Sequence, residues 1–158
     1  VLNHVTEIGL IRSSLPGYAS LAVYPYEKEE IVAICRPEHP LMQSGSIIDI
    51  SLLADYPLAV PFDCLDLVRS SFGHHLLAPN ISIITSSNAT AIEWARSFKT
   101  VALASLTAAD FQHIRDLTVK HFPDENLFIT SAFIVNKEYP LSHAARNFLR
   151  FHGVEGGG

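Results

Sequence analysis

The residues that could carry metal or nucleophilic chemistry are thinly spread in this chain and poorly spaced for it. Eight histidines are present, yet His74 and His75 are adjacent and would project to different sides of any regular element. His39, His113, His121 and His143 stand singly, and no H-E-x-x-H, H-x-H or Cys/His spacing links any of them. They read as surface histidines. No G-x-S-x-G elbow, G-x-x-x-x-G-K-[ST] loop or G-x-G-x-x-G fingerprint occurs, so acyl-transfer, phosphate and dinucleotide chemistry lack their usual carriers. Cys35 and Cys64 are the only cysteines, too few for a disulfide framework, and Cys35, inside the apolar run 31–35, reads as a structural thiol. Asp63 and Asp66 could pair as carboxylates, but they read better as caps and charges at the start of a helix. No catalytic set, no metal and no cofactor is expected, which leaves the binding functions.

One binding constellation stands out. Ser86, Ser87, Asn88 and Thr90 follow the apolar run 81–84 and open a segment containing Ile92, Trp94 and Ala95. A helix N-terminus presents free N–H groups and a positive dipole end, which suits carboxylates and other anions. The same hydroxyls could serve only as helix caps, and residue types alone do not choose between the two readings.

Strands and helices must position these residues. Apolar runs at 31–35, 58–60, 81–84, 101–104 and 128–135 read as strands. Ser46 to Asp49, Thr90 to Glu93 and Thr107 to Asp110 each fit the pattern in which a hydroxyl and an acid three residues on cap a helix, the third opening a short helix that ends near Ile114. A helix is expected from Leu65 through Phe72, broken at Gly73. Another follows Pro140 and Ser142, with Ala144, Ala145, Phe148, Leu149 and His152 on one face and Arg146 and Arg150 on the other. Glu27-Lys28-Glu29-Glu30 reads as a solvated turn leading into a strand. Alternating strands and helices imply an α/β fold with a parallel sheet, where ligands bind beyond the carboxyl ends of strands. That points to the loops after Val60, Ile84 and Ala104.

Composition narrows the partners. The chain has 158 residues, 48% hydrophobic and 17% charged, which excludes disorder and leaves enough chain to bury a core without a metal or disulfide. Its formal net charge of −5, with no Lys/Arg cluster, argues against direct nucleic-acid contact by this chain. No signal-peptide pattern stands at the start and no run approaches ~18 apolar residues, so the expectation is a cytoplasmic protein with no membrane partner. Asn80-Ile81-Ser82 and Asn88-Ala89-Thr90 match the glycosylation spacing, which means little without a secretory signal.

Four blocks stand in order along the chain. Glu7-Ile8-Gly9-Leu10-Ile11 reads close to D-[LI]-[GA]-[LI]-[IVA], with Glu for Asp. Residues 30–41, ending Arg36-Pro37-Glu38-His39-Pro40-Leu41, are an apolar strand running into a P-x-H-P-L turn, the most specific of the four. Ile50-Ser51-Leu52-Leu53-Ala54-Asp55-Tyr56-Pro57-Leu58 reads L-x-x-L-A-x-x-P-L, and Phe133-Ile134-Val135 with residues 141–151 reads as a closing strand and helix. Together, in this order, they resemble the effector-binding domain of LysR-type transcriptional regulators.

The resemblance implies a type 2 periplasmic-binding-protein-like fold: two α/β subdomains joined by two crossover strands, near Arg36-Pro37 and near residues 124–127. The first subdomain would comprise residues 1–36 plus 125–152, incomplete at its N-terminus, and the second residues 37–124, with 153–158 a disordered tail. A small-molecule effector, such as an organic acid, would bind in the cleft between them and modulate transcription by a full-length homo-oligomer, a dimer or tetramer. DNA would be contacted only through an N-terminal helix-turn-helix absent from this chain. An opening strand–helix–strand is expected to be missing too, so that this piece would bind weakly or pair abnormally. The effector residues implied are Ser86, Ser87 and Asn88, then Pro61, Phe62 and Asp63, then residues 104–107 including Ser105. The family's G-[LIV]-G-[IV]-x-x-[LV]-P block reads here Ser97-Phe98-Lys99-Thr100-Val101-Ala102-Leu103-Ala104, which would bring Lys99 toward the cleft. A solute-binding protein of the same fold is the alternative; an enzyme has no residues in its favour.

Overall fold

The computed structural model describes all residues except 2–5, 14–18, 98, 124–126 and 155–158. Two compact units divide the chain: Val1–Lys28 with Thr130–Gly158, and Glu29–Ile129. The expected crossover near residues 124–127 falls largely outside the described residues.

The second unit carries the carboxyl-end loops. Its strands are the latter part of β2 (Leu21–Cys35), then β3 (Leu58–Pro61), β4 (Ile81–Thr85), β5 (Val101–Leu106) and β6 (Thr118–Lys120). β5, β3 and β4 lie side by side, with β3 parallel to both neighbours. β2 runs antiparallel to β5 and to β6, so the sheet is mixed rather than parallel throughout. The strand alternation in the sequence marks the parallel part and misses this reversal.

Odd and even residues of these strands face opposite ways, and both faces are covered. Ile31, Ala33, Cys35, Leu58, Val60, Val101 and Leu103 meet Leu65, Val68 and Phe72 of α1 (Leu65–His74). Val32, Ile34, Ala59, Ala102 and Ala104 meet Ala91, Ile92 and Ala95 of α2 (Asn88–Ser97). The apolar runs at 31–35, 58–60 and 101–104 are therefore strands buried on both sides, whereas β4, at the edge of the sheet, leaves Ile84 exposed.

Several local expectations change. The segment Glu27 to Glu30 is not a turn: it lies within β2, with Glu29 buried and Glu30 bonded to His121 at 2.8 Å. Ser46 caps no helix; Asp49 caps the short 3-10 turn Ile50–Leu53 by accepting from the Ser51 N–H at 2.8 Å. Nor is every histidine on the surface. His39 is buried, and its Nδ1 accepts from the Leu41 N–H at the start of the 3-10 turn Pro40–Gln43. Asp63 and Asp66 stand in the first turns of the 3-10 turn Phe62–Cys64 and of α1, whose caps, Pro61 and Cys64, make no side-chain cap bond. α1 continues past Gly73 to His74 and stops where Leu76 adopts φ 58°. There the Leu77 N–H bonds the Phe72 carbonyl and the Leu76 N–H bonds that of Gly73, a Schellman stop in which leucine stands at the position that favours glycine.

In the first unit, β1 (Ile8–Ser13) pairs antiparallel with β7 (Phe128–Asn136), which is next to β2 in strand order. α3 (His143–Phe151) is capped by Ser142, whose Oγ accepts from the Ala145 N–H, while Glu7 accepts from both the N–H and the Oγ–H of Ser142. Gly153 at φ 71° and Val154 close the helix through bonds to the Arg150 and Leu149 carbonyls, and Val154 packs in the same cluster as Leu149. These two residues belong to the helix stop rather than to a tail; residues 155–158 lie outside the described ones.

Candidate functional site

The strand register brings most of the sequence-implied residues to one end of the second unit. Because β3 pairs with β4 with Pro61 opposite Thr85, the loops beginning at Phe62 and Ser86 emerge side by side. β5, parallel to β3, ends at Leu106 on the same edge, followed by Thr107. Lys99 precedes β5 and stands at the opposite, amino edge; a strand of 6 residues spans ~20 Å, which separates Lys99 from the rest. The adjacent Phe98 lies outside the described residues.

At the site, Ser87 rather than Thr90 is the N-cap of α2. Its Oγ accepts from the Thr90 N–H at 3.2 Å and its carbonyl accepts from the Ala91 N–H at 3.2 Å. Thr85, buried at the end of β4, donates its hydroxyl to the Ser87 carbonyl at 3.0 Å and tightens the turn. Asn88 and Ala89 supply the first helical N–H groups, which precede any intrahelical acceptor. Ser86 and Ser87 are exposed. Phe62 is 74% exposed, and its ring is an apolar surface beside the helix mouth. Asp63 is exposed and accepts weakly from the Cys64 thiol at 3.7 Å. Thr107 donates its N–H and its hydroxyl to Asp110, both at 2.8 Å. The expected short helix is only the 3-10 turn Asp110–His113, whose N-cap is Ala109 with no side-chain cap bond, so Thr107 braces the turn through Asp110 and does not cap it.

Asn88 and Ser105 do something else. The Asn88 Nδ2 donates to the Ser105 carbonyl at 2.7 Å and to the Ser105 Oγ at 3.1 Å, and its Oδ1 accepts from the Ser105 N–H at 3.2 Å. Ser105 is fully buried, so it offers nothing to a ligand. Both amide hydrogens of Asn88 are committed, and its side chain occupies the ladder position beside β5 that a neighbouring strand would otherwise fill. The pair fastens the start of α2 to the end of β5. Sequence reasoning places both at the site without this division of labour, and it misses Glu29, whose Oε2 accepts from the Ser105 hydroxyl at 2.9 Å. The odd-numbered register of Glu29 with Ile31, Ala33 and Cys35 is the available signal.

The arrangement suits recognition of an anion rather than a reaction. It offers N–H groups at a helix mouth, hydroxyls, an apolar ring and one exposed carboxylate able to accept from a ligand hydroxyl. Burial pushes the Cys35 thiol above its ordinary pKa, which keeps it protonated and inert. Among the described residues, no group of three or more His, Cys, Asp or Glu could hold a metal ion.

Comparison with known proteins identifies relatives of this arrangement. The family model described as the LysR substrate binding domain matches residues 1–153. No curated protein sequence matches. The chain is similar in structure to the effector-binding domain of QuiR in complex with shikimate, at TM-score 0.79 and 18% identity, covering 96% of this chain and 72% of that one. It is similar to the regulatory domain of CcmR from Synechocystis in complex with 2-PG, at TM-score 0.76 and 16% identity, covering 96% and 74%. It also matches CbnR, a LysR family transcriptional regulator, at TM-score 0.71 and 16% identity, spanning 54% of that chain.

Proposed function

Because the chain belongs to the LysR substrate-binding domain family, we propose that it recognises a small organic acid at the carboxyl ends of β3, β4 and β5 and thereby regulates a longer DNA-binding protein. The family is regulatory and non-enzymatic, and its domains bind effectors; the match favours a regulator over a solute-binding protein of the same fold. The observation that carries the site is the Ser87-capped mouth of α2, opening on the same edge as the loops after β3 and β5. A carboxylate would accept from the Asn88 and Ala89 N–H groups and the Ser86 hydroxyl. Phe62 would cover an apolar face of the ligand and Asp63 would accept from a ligand hydroxyl. QuiR was solved with shikimate, a hydroxylated acid of this chemistry.

The finer assignments follow from the family. β2 and β7, in which the chain passes from one unit to the other, serve as the two crossover connections of a periplasmic-binding-protein type 2 fold. DNA contact belongs to a helix-turn-helix elsewhere in the whole protein, which works as a dimer or tetramer in the cytoplasm; a full-length relative, CbnR, has been solved with its target DNA. Among the described residues no helix is long and apolar enough to cross a membrane.

Thermal unfolding in the presence of sodium salts of mono-, di- and hydroxycarboxylic acids tests the site. At least one acid should raise the midpoint in proportion to occupancy, and Ser86→Asp, which puts a like charge before the helix mouth, should abolish that rise. A rise that survives Ser86→Asp unchanged, or a panel in which no acid acts, counts against the site.

A further inference from the structure

We propose that Glu29 is a positioning residue for the effector site, acting on the mouth of α2 through Ser105 and Asn88 without touching the ligand. The inference rests on the reading of that mouth as the place where the effector binds. Glu29 lies in β2 and is 6% exposed, and Ser105 beside it is fully buried. Three groups are linked in one direction. The Asn88 amide donates to the Ser105 Oγ at 3.1 Å, the Ser105 Oγ–H donates to Glu29 Oε2 at 2.9 Å, and toward Ser105 the carboxylate acts only as an acceptor.

That direction has a consequence for Asn88. Glu29 draws the Ser105 hydroxyl hydrogen toward itself, so the lone pair of Ser105 Oγ faces Asn88 and requires an N–H there. This reinforces the amide orientation that the Ser105 backbone also requires: Nδ2 lies toward Ser105 Oγ and the carbonyl, and Oδ1 toward the Ser105 N–H. Asn88 is the first residue of α2, so its side chain holds in register the backbone N–H groups that would meet the ligand. A carboxylate from β2 thus orients a helix mouth that follows a different strand.

The test is NMR spectroscopy of the 15N-labelled chain without ligand, comparing wild type with Glu29→Leu, Glu29→Gln and Ser105→Ala. In Glu29→Leu the Ser105 hydroxyl, released from its acceptor, no longer holds a lone pair toward Asn88, so the side-chain NH2 of Asn88 should lose most of that bond and exchange with solvent about tenfold faster. The Asn88 and Ala89 backbone resonances should move, while the amides of residues 31–35 and 101–103 stay in place. Glu29→Gln, whose Oε1 still accepts from Ser105, should restore the wild-type pattern. Should Glu29→Leu fail to fold, Ser105→Ala cuts the same chain and should show the same release of Asn88. Wild-type Asn88 signals in the cut variants, or Glu29→Gln as damaging as Glu29→Leu, would overturn the proposal. Sodium shikimate then serves as the ligand probe: where wild type binds it, equal affinity in Glu29→Leu also overturns the positioning role. Where wild type does not bind it, the site reading for this acid fails, and the ligand-free comparison still decides the relay.

Discussion

Asn88→Asp separates the clamp at the site from an ordinary helix start. At the first position of α2, aspartate is the better residue for the helix dipole, by ~0.3–1 kcal/mol, so a simple helix start would gain stability. The structure predicts the opposite sign. Asn88 donates to the buried Ser105 carbonyl at 2.7 Å and to Ser105 Oγ at 3.1 Å, and a carboxylate can do neither. One oxygen would still accept from the Ser105 N–H, but the other would face the Ser105 carbonyl at close range. Losing the donor partner of a buried carbonyl costs about 1–3 kcal/mol, and turning the Ser105 hydroxyl toward the introduced carboxylate would take it from Glu29 at a similar cost. After the dipole gain, the net loss is about 1–6 kcal/mol, or roughly 2–24 °C in midpoint for a domain of this size. Urea unfolding followed by far-UV circular dichroism measures it, with an unchanged m-value reporting that only stability has moved. An Asn88→Asp protein as stable as wild type, or more so, refutes the clamp.

Other outcomes are equally checkable. His39 is buried, and burial holds its pKa below the ordinary 6.5, so its stabilising contribution is complete above that value and is lost as pH falls toward the depressed one. His39→Asn, which can still accept from the Leu41 N–H, should flatten the fall in unfolding free energy just below the ordinary histidine range; an unaltered pH profile contradicts this. Leu76 is 95% exposed at φ 58°, so Leu76→Gly relieves backbone strain without removing packing and should raise stability by about 0.5–1 kcal/mol; a lower midpoint in calorimetry would count against it. Phe72→Ala empties a fully buried position and should cost about 3–5 kcal/mol in denaturant titrations. Glu7, held below the usual carboxylate range chiefly by the Ser142 N–H and then by its hydroxyl, anchors the start of α3. Glu7→Ala should speed hydrogen exchange at the first turn of α3 while leaving the second unit unchanged.

What is legible in the sequence is what periodicity and capping record. The apolar runs at 31–35, 58–60 and 101–104 mark strands buried on both faces, and Ser142 caps α3 as expected. What is not legible depends on tertiary pairing. Glu29 reads as solvated because its neighbours Glu27 and Lys28 are, and only pairing with β5 brings it to Ser105. His39 reads as a surface residue because nothing local shows that its ring is enclosed against Tyr56. Block order alone puts Lys99 near the site, whereas strand direction puts it at the other edge. Gly153 followed by Val154 is a readable helix stop, but the glycine run after it makes the whole segment resemble a tail.

The most direct measurement is a 1H–15N titration of the chain with the carboxylic acid that most raises its thermal midpoint. Saturable shifts should centre on Phe62, Ser86, Ser87, Asn88, Ala89 and Thr107 and disappear in Ser86→Asp. Shifts confined to α3 and β1, or shifts at the mouth of α2 that persist in Ser86→Asp, would contradict an effector site at the carboxyl ends of β3, β4 and β5.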